Sequence, residues 1–337
     1  MKNNKECEPY GVTWRNQGTD EFSFFAYSPV IHDGLAQASY IEQGDMRIYI
    51  NTPQGVLMAP TEGCKKLMEC LRELFAACNT YKAPEGAKKL TLSLPIKEYM
   101  ALCGEKCLED KSGSPESKKA IKEATDYYRK KMKSILQEIS GMSIEWSNKK
   151  TGEKSRFGRC VIIQGFEHRN STFYITLGEK YANSLVDGFI AWTNHEIYKL
   201  DERNPHLQAL NAKLTQYASI NRAEKKHRIS LASLLNACRA IPSEEEVSKT
   251  DRHYTRRIIE PFEKAMDSLS FISWKYCNAK GKPLTQKQLS KAGWPGYKDC
   301  MIEYELIGAP VEKKEKKPAR KTTRKATPRK SKKKATE

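Results

Sequence analysis

The chain has 337 residues, 39% of them apolar and 9% aromatic, enough to bury a core in each of two domains and too much for a chain disordered throughout. Its formal charge is +18; the segment from Ala309 onward carries 13 basic and 3 acidic residues, so +10 lies there and +8 in the rest. With no apolar run of about 18 residues, no signal-peptide core in MKNNKECEPYGVTW and ten scattered cysteines without a CxxC pair, the expectation is a cytoplasmic, reduced protein without metal or cofactor, whose charge suits a polyanion.

Residues 1–20 are polar, and 21–60 hold short β-type runs, FSFFAYS and MRIYINTPQGVLM, broken by Gly and Pro. GCKKLMECLRELFAACN (63–79) places Leu67, Leu71, Leu74, Phe75 and Cys78 at helical spacing with charge opposite, which predicts an amphipathic helix. LTLSLPIKEYMALCG (90–104) begins extended and turns helical at Pro95, with Gly104 as terminator. SPESKKAIKEATDYYRKKMKSILQEIS (114–140) opens on Ser114 as N-cap and Pro115 at the first position. Ile121, Ala124, Tyr128, Met132, Ile135, Leu136 and Ile139 face a core, and Lys118, Lys119, Lys122, Arg129, Lys130, Lys131 and Lys133 face outward. MSIEWS and GRCVIIQGF, separated by KKTGEKSRF, predict a hairpin with a basic tip.

The second half repeats this order. LPIKEYMALC (94–103) lines up without gaps on ISLASLLNAC (229–238), and ILQEISGMSIEW (135–146) on AMDSLSFISWKY (265–276), at offsets of 135 and 130 residues. Near-equal long offsets point to duplication of a domain. PHLQALNAKLTQYASIN (205–221) takes the part of the first helix, with Asn204 as N-cap. Strands are expected at 271–277 and 301–307 around a basic insert with Lys280, Lys282, Lys287 and Lys291. Each half thus reads helix, helix, helix, then a strand pair, the order of a winged helix. The expected fold is α+β: a flexible 1–20, winged-helix domains at 21–188 and 189–308, and a disordered Lys/Arg-rich tail at 309–337, whose run KKEKKPARKTTRKATPRKSKKK holds no apolar residue beyond Ala that could build a core.

TDRHYTRRIIEPFEKAMDSL (250–269) occupies the third-helix position of the second copy, the one that reads bases in helix-turn-helix proteins. Ser243 and Glu246 form a capping box for a short preceding helix, and Thr250 or Asp251 can cap the main one. Tyr254, Ile258, Phe262, Ala265, Met266 and Leu269 make a core stripe. Arg252, His253, Arg256 and Arg257 lie off it in the first half, Glu260, Glu263 and Asp267 follow on the outer side, and Pro261 should bend the helix between the halves.

NPHLQALNAKL, RISLASLLNA and TDRHYTRRIIEPFEKAMDSL followed by FISWKYCNAKGKPLT resemble the tandem winged-helix, iteron-binding plasmid replication initiators, in particular those of gut Firmicutes plasmids, over about residues 90–307. The resemblance implies a protein that binds direct repeats at a replication origin, helps open the duplex, recruits host helicase or initiator proteins, and forms a homodimer. It makes Arg252, His253, Arg256 and Arg257 the base readers of the second domain and Lys118, Lys119 and Lys122 their first-domain counterparts; Arg129, Lys280 and Lys282 complete the candidate DNA-binding set. The basic tail departs from the pattern.

A transcriptional regulator or partition-type DNA-binding protein on the same fold is the alternative. His253 and Arg256 spell HxxR, with Tyr297 or Tyr304 downstream, a loose match to tyrosine recombinases without an upstream Arg in a fitting context. GxxxxGK[ST] and HxH are both absent, so neither a motor nor a rolling-circle nickase is expected, and the chain reads as a non-enzyme.

Overall fold

The computed structural model describes residues 10–15, 31–32, 35–36, 40–43, 46–51, 61–79, 88–110, 112–140, 142–148, 160–221, 224–238, 241–249 and 253–309. Strands β1 (Tyr10–Arg15), β2 (Ile31–His32), β3 (Leu35–Ala36), β4 (Tyr40–Gln43) and β5 (Met46–Asn51) come first. Then follow α1 (Glu62–Cys78), β6 (Thr91–Pro95), α2 (Ile96–Leu102), α3 (Pro115–Ser140), β7 (Ser143–Asn148), β8 (Cys160–Val161), β9 (Ile163–Arg169), β10 (Thr172–Leu177), α4 (Glu179–Val186) and β11 (Phe189–Asn194). The remainder is α5 (Leu207–Ile220), β12 (His227–Ser230), α6 (Leu231–Ala237), α7 (Glu244–Ser248), a π-helical turn Thr255–Ile259 running into α8 (Glu260–Asp267), β13 (Ile272–Cys277), α9 (Gln286–Lys298) and β14 (Met301–Leu306).

Alternating apolar residues set the first sheet. Leu92 and Leu94 of β6 point inward opposite Ile175 and Phe173 of β10, and β9 pairs with the other edge of β10, giving the order β6-β10-β9. The second sheet has the order β12-β14-β13, with Ile229 opposite Ile302 and Tyr276 on its other side. In both units a helix (α1, α5) precedes the first strand, further helices follow it (α2 and α3 in the first, α6, α7 and α8 in the second), and the last strand lies in the middle of the sheet. That connectivity gives a mixed helix-and-sheet fold in which helices precede and follow a first strand and an antiparallel strand pair closes each sheet.

The expected hairpin of the first half forms between β7 and β8, but it is not the strand pair that closes the unit. β7 does pair with β8, Ser143 opposite Val161, but β7 lies mainly against β5 in a separate four-stranded sheet β4-β5-β7-β8. The strand pair that closes the first unit is β9–β10, turning at Asn170 and Ser171, whose φ values are 48° and 61°. The counterpart of β13 is therefore β9, not the segment at 143–148. At the 135-residue offset β6–α2 and β12–α6 are each an edge strand running into a short helix, while at the 130-residue offset β7 lies inside a four-stranded sheet and β13 at the edge of a three-stranded one. The expected basic tip at 149–159 lies outside the described residues.

α1 keeps its apolar stripe at Leu67, Leu71 and Phe75, while Cys78 at its end is exposed, and its expected solvent face is buried too: Lys65, Lys66, Glu69 and Arg72 are all under cover. Its cover comes from several places: β1 lies along it, Lys65 bonds to Glu62 of the same helix at 2.6 Å, and Arg72 Nε donates to the Tyr181 hydroxyl of α4 at 2.9 Å. α5 brings its own polar side, including Asn211 and Thr215, into the same region, and the segment 193–202 supplies partners. Lys66 Nζ donates to the carbonyls of Tyr198 and Leu200, Thr193 donates to Glu69, and Glu73 accepts from the Tyr198 hydroxyl at 3.0 Å and meets His195 Nε2 at 2.7 Å. Charges that leave water must find such partners.

Candidate nucleic-acid interface

In α3, Ser114 accepts from Ser117 N at 3.0 Å, the expected cap, and the stripe from Tyr128 through Ile139 is buried. Lys118, Lys119 and Lys122 stand exposed on the first two turns. Arg129 does not share their setting: it is half-buried and bound to Asp126 at 2.6 Å, so its charge is compensated on its own helix.

The capping box before the second unit's third helix is present, with Ser243 N donating to Glu246 at 2.7 Å and Glu246 N donating to Ser243 Oγ at 3.3 Å. Ile258, Phe262, Ala265, Met266 and Leu269 fill the core, and Tyr254 is half-buried at its edge. Pro261 meets the backbone by a different route from a simple lost hydrogen bond. The turn Thr255–Ile259 widens instead, with Glu260 N donating to the Thr255 carbonyl five residues back, so the chain enters α8 with its proline in the first turn, where no N–H is needed.

Of the expected readers, Arg252 lies outside the described residues, as do the alternative caps Thr250 and Asp251. His253 and Arg256 are exposed; Arg257 is half-buried and close enough to Glu246 to help hold its carboxyl below the usual range, behind the larger effect of the hydrogen bonds from Ser243. Glu263 and Asp267 are not loose charges on the outer side. Glu263 accepts from the Tyr276 hydroxyl at 3.0 Å and from Gln286 Nε2 at 3.3 Å, and Asp267 accepts from Trp274 Nε1 at 3.0 Å. Partial burial pushes the Glu263 carboxyl up, against the hydrogen bond from Tyr276. These two acids fasten the helix to β13.

The insert between β13 and β14, expected to be a loop, folds as a tight turn followed by α9. Asn278 Oδ1 accepts from the backbone N–H groups of Lys280 at 3.0 Å and Lys282 at 2.9 Å, which sets both lysines on one rigid turn. Gly281 has φ 82°, and a Cβ there would meet the Arg228 guanidinium at 2.7 Å, so the turn closes directly over Arg228 of the edge strand β12.

α9 starts on a capping box, Thr285 with Gln288, and kinks at Gly293, whose φ of 65° only glycine adopts freely. Its start is tied to Glu263 through Gln286; past the kink Trp294 stacks on Tyr254 with ring centres 5.2 Å apart and 13° between planes. Glu263 lies late in the third helix and Tyr254 at its beginning, so the two contacts set α9 antiparallel to it. Lys298 bonds to Glu244 at 2.9 Å and Tyr297 packs edge-on against Tyr276, fixing the far end.

The charges of this unit divide sharply. Lys225, Lys249, Lys275 and Lys298 are all held in ion pairs with glutamates. Among the described residues Arg256, Lys280, Lys282, Lys287 and Lys291 are exposed without an ion-pair partner, as are Lys226, Arg228 and Lys264. The closing turn of the first unit adds Arg169 and His168 beside Asn170; Arg169 bonds to Glu167 and its guanidinium lies 5.7 Å from the centre of the Tyr174 ring. Sequence reasoning missed this hairpin, although EHRNSTFYI carries the signal, an Asn-led two-residue turn between alternating strands. Arg228 was missed as well, and only the turn over it makes it stand out.

No protein-family model matches the chain, and no curated protein does. Among solved structures it is similar to the Pi initiator protein in complex with iteron DNA, at 9% identity and a TM-score of 0.45 over 89% of this chain and 97% of that one. It is similar also to domains 2 and 3 of RctB, at 10% identity and a TM-score of 0.41 over 85% of this chain and 98% of that one. A second structure of RctB domains 2–3 gives 11% identity and a TM-score of 0.31 over 80% and 91%.

Proposed function

We propose that the chain is a sequence-specific double-stranded DNA-binding protein that initiates plasmid replication, binding repeats at an origin and recruiting host replication proteins. The observation that carries this reading is the third helix of the second unit, with exposed His253 and uncompensated Arg256 at its amino end and its acids tied back to the sheet. A helix so arranged offers its amino end to a phosphate-lined groove, where the macrodipole adds to the side-chain charge. The shared order of elements and sheets in the two units supports two winged-helix domains, 21–188 and 189–308, related by duplication. Homodimerisation follows from the family resemblance.

A transcriptional regulator would use the same helix in the same way; replication from the bound repeats is what separates the two. The chain acts without catalysis in this reading. Tyr297 and Tyr304 are buried, and the Tyr304 hydroxyl donates to the Leu214 carbonyl at 2.7 Å, so neither phenol stands at the surface with His253 and Arg256. Footprinting of the full chain on the DNA flanking its own gene, with excess random competitor, should protect evenly phased repeats. Arg256→Ala should weaken binding to them by about 1–3 kcal/mol, as loss of a bidentate guanine contact does. Diffuse protection, or an Arg256→Ala chain that binds the repeats as before, would sink the reading.

A further inference from the structure

α9 occupies the place where a plain hairpin wing would sit, and its position beside the third helix is fixed at both ends by Gln286–Glu263 and Trp294–Tyr254. Leu289 is buried beneath it, and Lys287 and Lys291, two residues to either side and four apart, project from the opposite face. The major groove of B-form DNA is about 12 Å wide and an α-helix with side chains measures about 10–12 Å, so the groove admits one helix of the pair. With the third helix in the groove, its antiparallel neighbour is left outside it.

We infer that α9, with the turn before it, is a phosphate-binding bar. Lys287 and Lys291, joined by Lys280 and Lys282, grip the sugar–phosphate strand alongside the groove and set the depth and angle of the third helix. The inference rests on the proposed groove entry of that helix. It assigns these lysines affinity without base information, because phosphate oxygens are the same at every sequence. Tyr254 and Trp294 are positioning residues in this scheme, since their stack holds the bar parallel to the helix it supports.

The test is the salt dependence of binding by the full chain to the duplex it protects and to a random duplex of equal length. Each phosphate contact contributes about 0.9 to the slope of log K against log salt on B-form DNA. The Lys287→Ala/Lys291→Ala double variant changes two exposed side chains, and its folding is checked by circular dichroism. It should reduce the slope by about 2 on both duplexes while leaving their affinity ratio unchanged. An unchanged slope would overturn the inference, and so would a collapsed ratio, which would mean that α9 reads bases. The ratio of the unsubstituted chain and of Arg256→Ala, measured alongside, reports separately on the groove reading: discrimination insensitive to Arg256 would remove that reading whatever the double variant does.

Discussion

Arg256 and Arg257 are neighbours in sequence with different surroundings. Arg256 faces outward without an acidic partner among the described residues, whereas Arg257 lies by Glu246 in the capping box of α7 and so serves the joint between two helices. Two buried histidines make a different kind of demand. Burial lowers the pKa of His206 and of His227 below the ordinary 6.5, helped at His206 by Lys65 and opposed at His227 by Glu224. As pH falls through 6.5 the unfolded chain takes up these protons first, so the stabilisation is complete above that pH and declines below it. The urea midpoint should therefore be lower at pH 5 than at pH 7.5, and His227→Gln should flatten that difference. A midpoint equal at both pH values would show that neither ring is held neutral.

At the scale of elements, the β9–β10 hairpin turns through two non-glycine residues in the left-handed region, Asn170 and Ser171. Asparagine tolerates that region and serine does so at a cost, so Ser171→Gly, which creates an Asn-Gly turn, should raise stability by roughly 1 kcal/mol. An unchanged or lower melting temperature would indicate that the serine is supported in another way. The hairpin was legible in EHRNSTFYI, but MSIEWS and GRCVIIQGF presented an equally good pair of β runs. Periodicity names strands without naming their partners; β7 is indeed a strand, placed in a different sheet. The insert at 278–298 was legible in its charge and not in its shape, because glycine and proline at 293 and 295 signal a break and here punctuate a helix instead.

For the whole molecule, the tail and the body divide the positive charge at +10 and +8. Deleting residues 313–337 should flatten the salt dependence of DNA binding while preserving the preference for the protected repeats, since counterion release carries no sequence information. Lost preference after the deletion would place the reader outside the body. Sequence alone determined the amphipathic helices, their caps at Ser114 and Ser243, and the basic first half of 250–269, because each is set by residues within one or two turns of one another. Tertiary structure decided what sequence distance hides. Burial of Lys66 and Glu69 draws on partners at 193–200 and that of Arg72 on Tyr181 of α4, the fastening of Glu263 and Asp267 requires β13 and α9, and the pairing of α9 with the third helix rests on contacts 23 and 40 residues apart. A periodic pattern tells a helix which side to bury; only the folded chain supplies the partner that covers its other side.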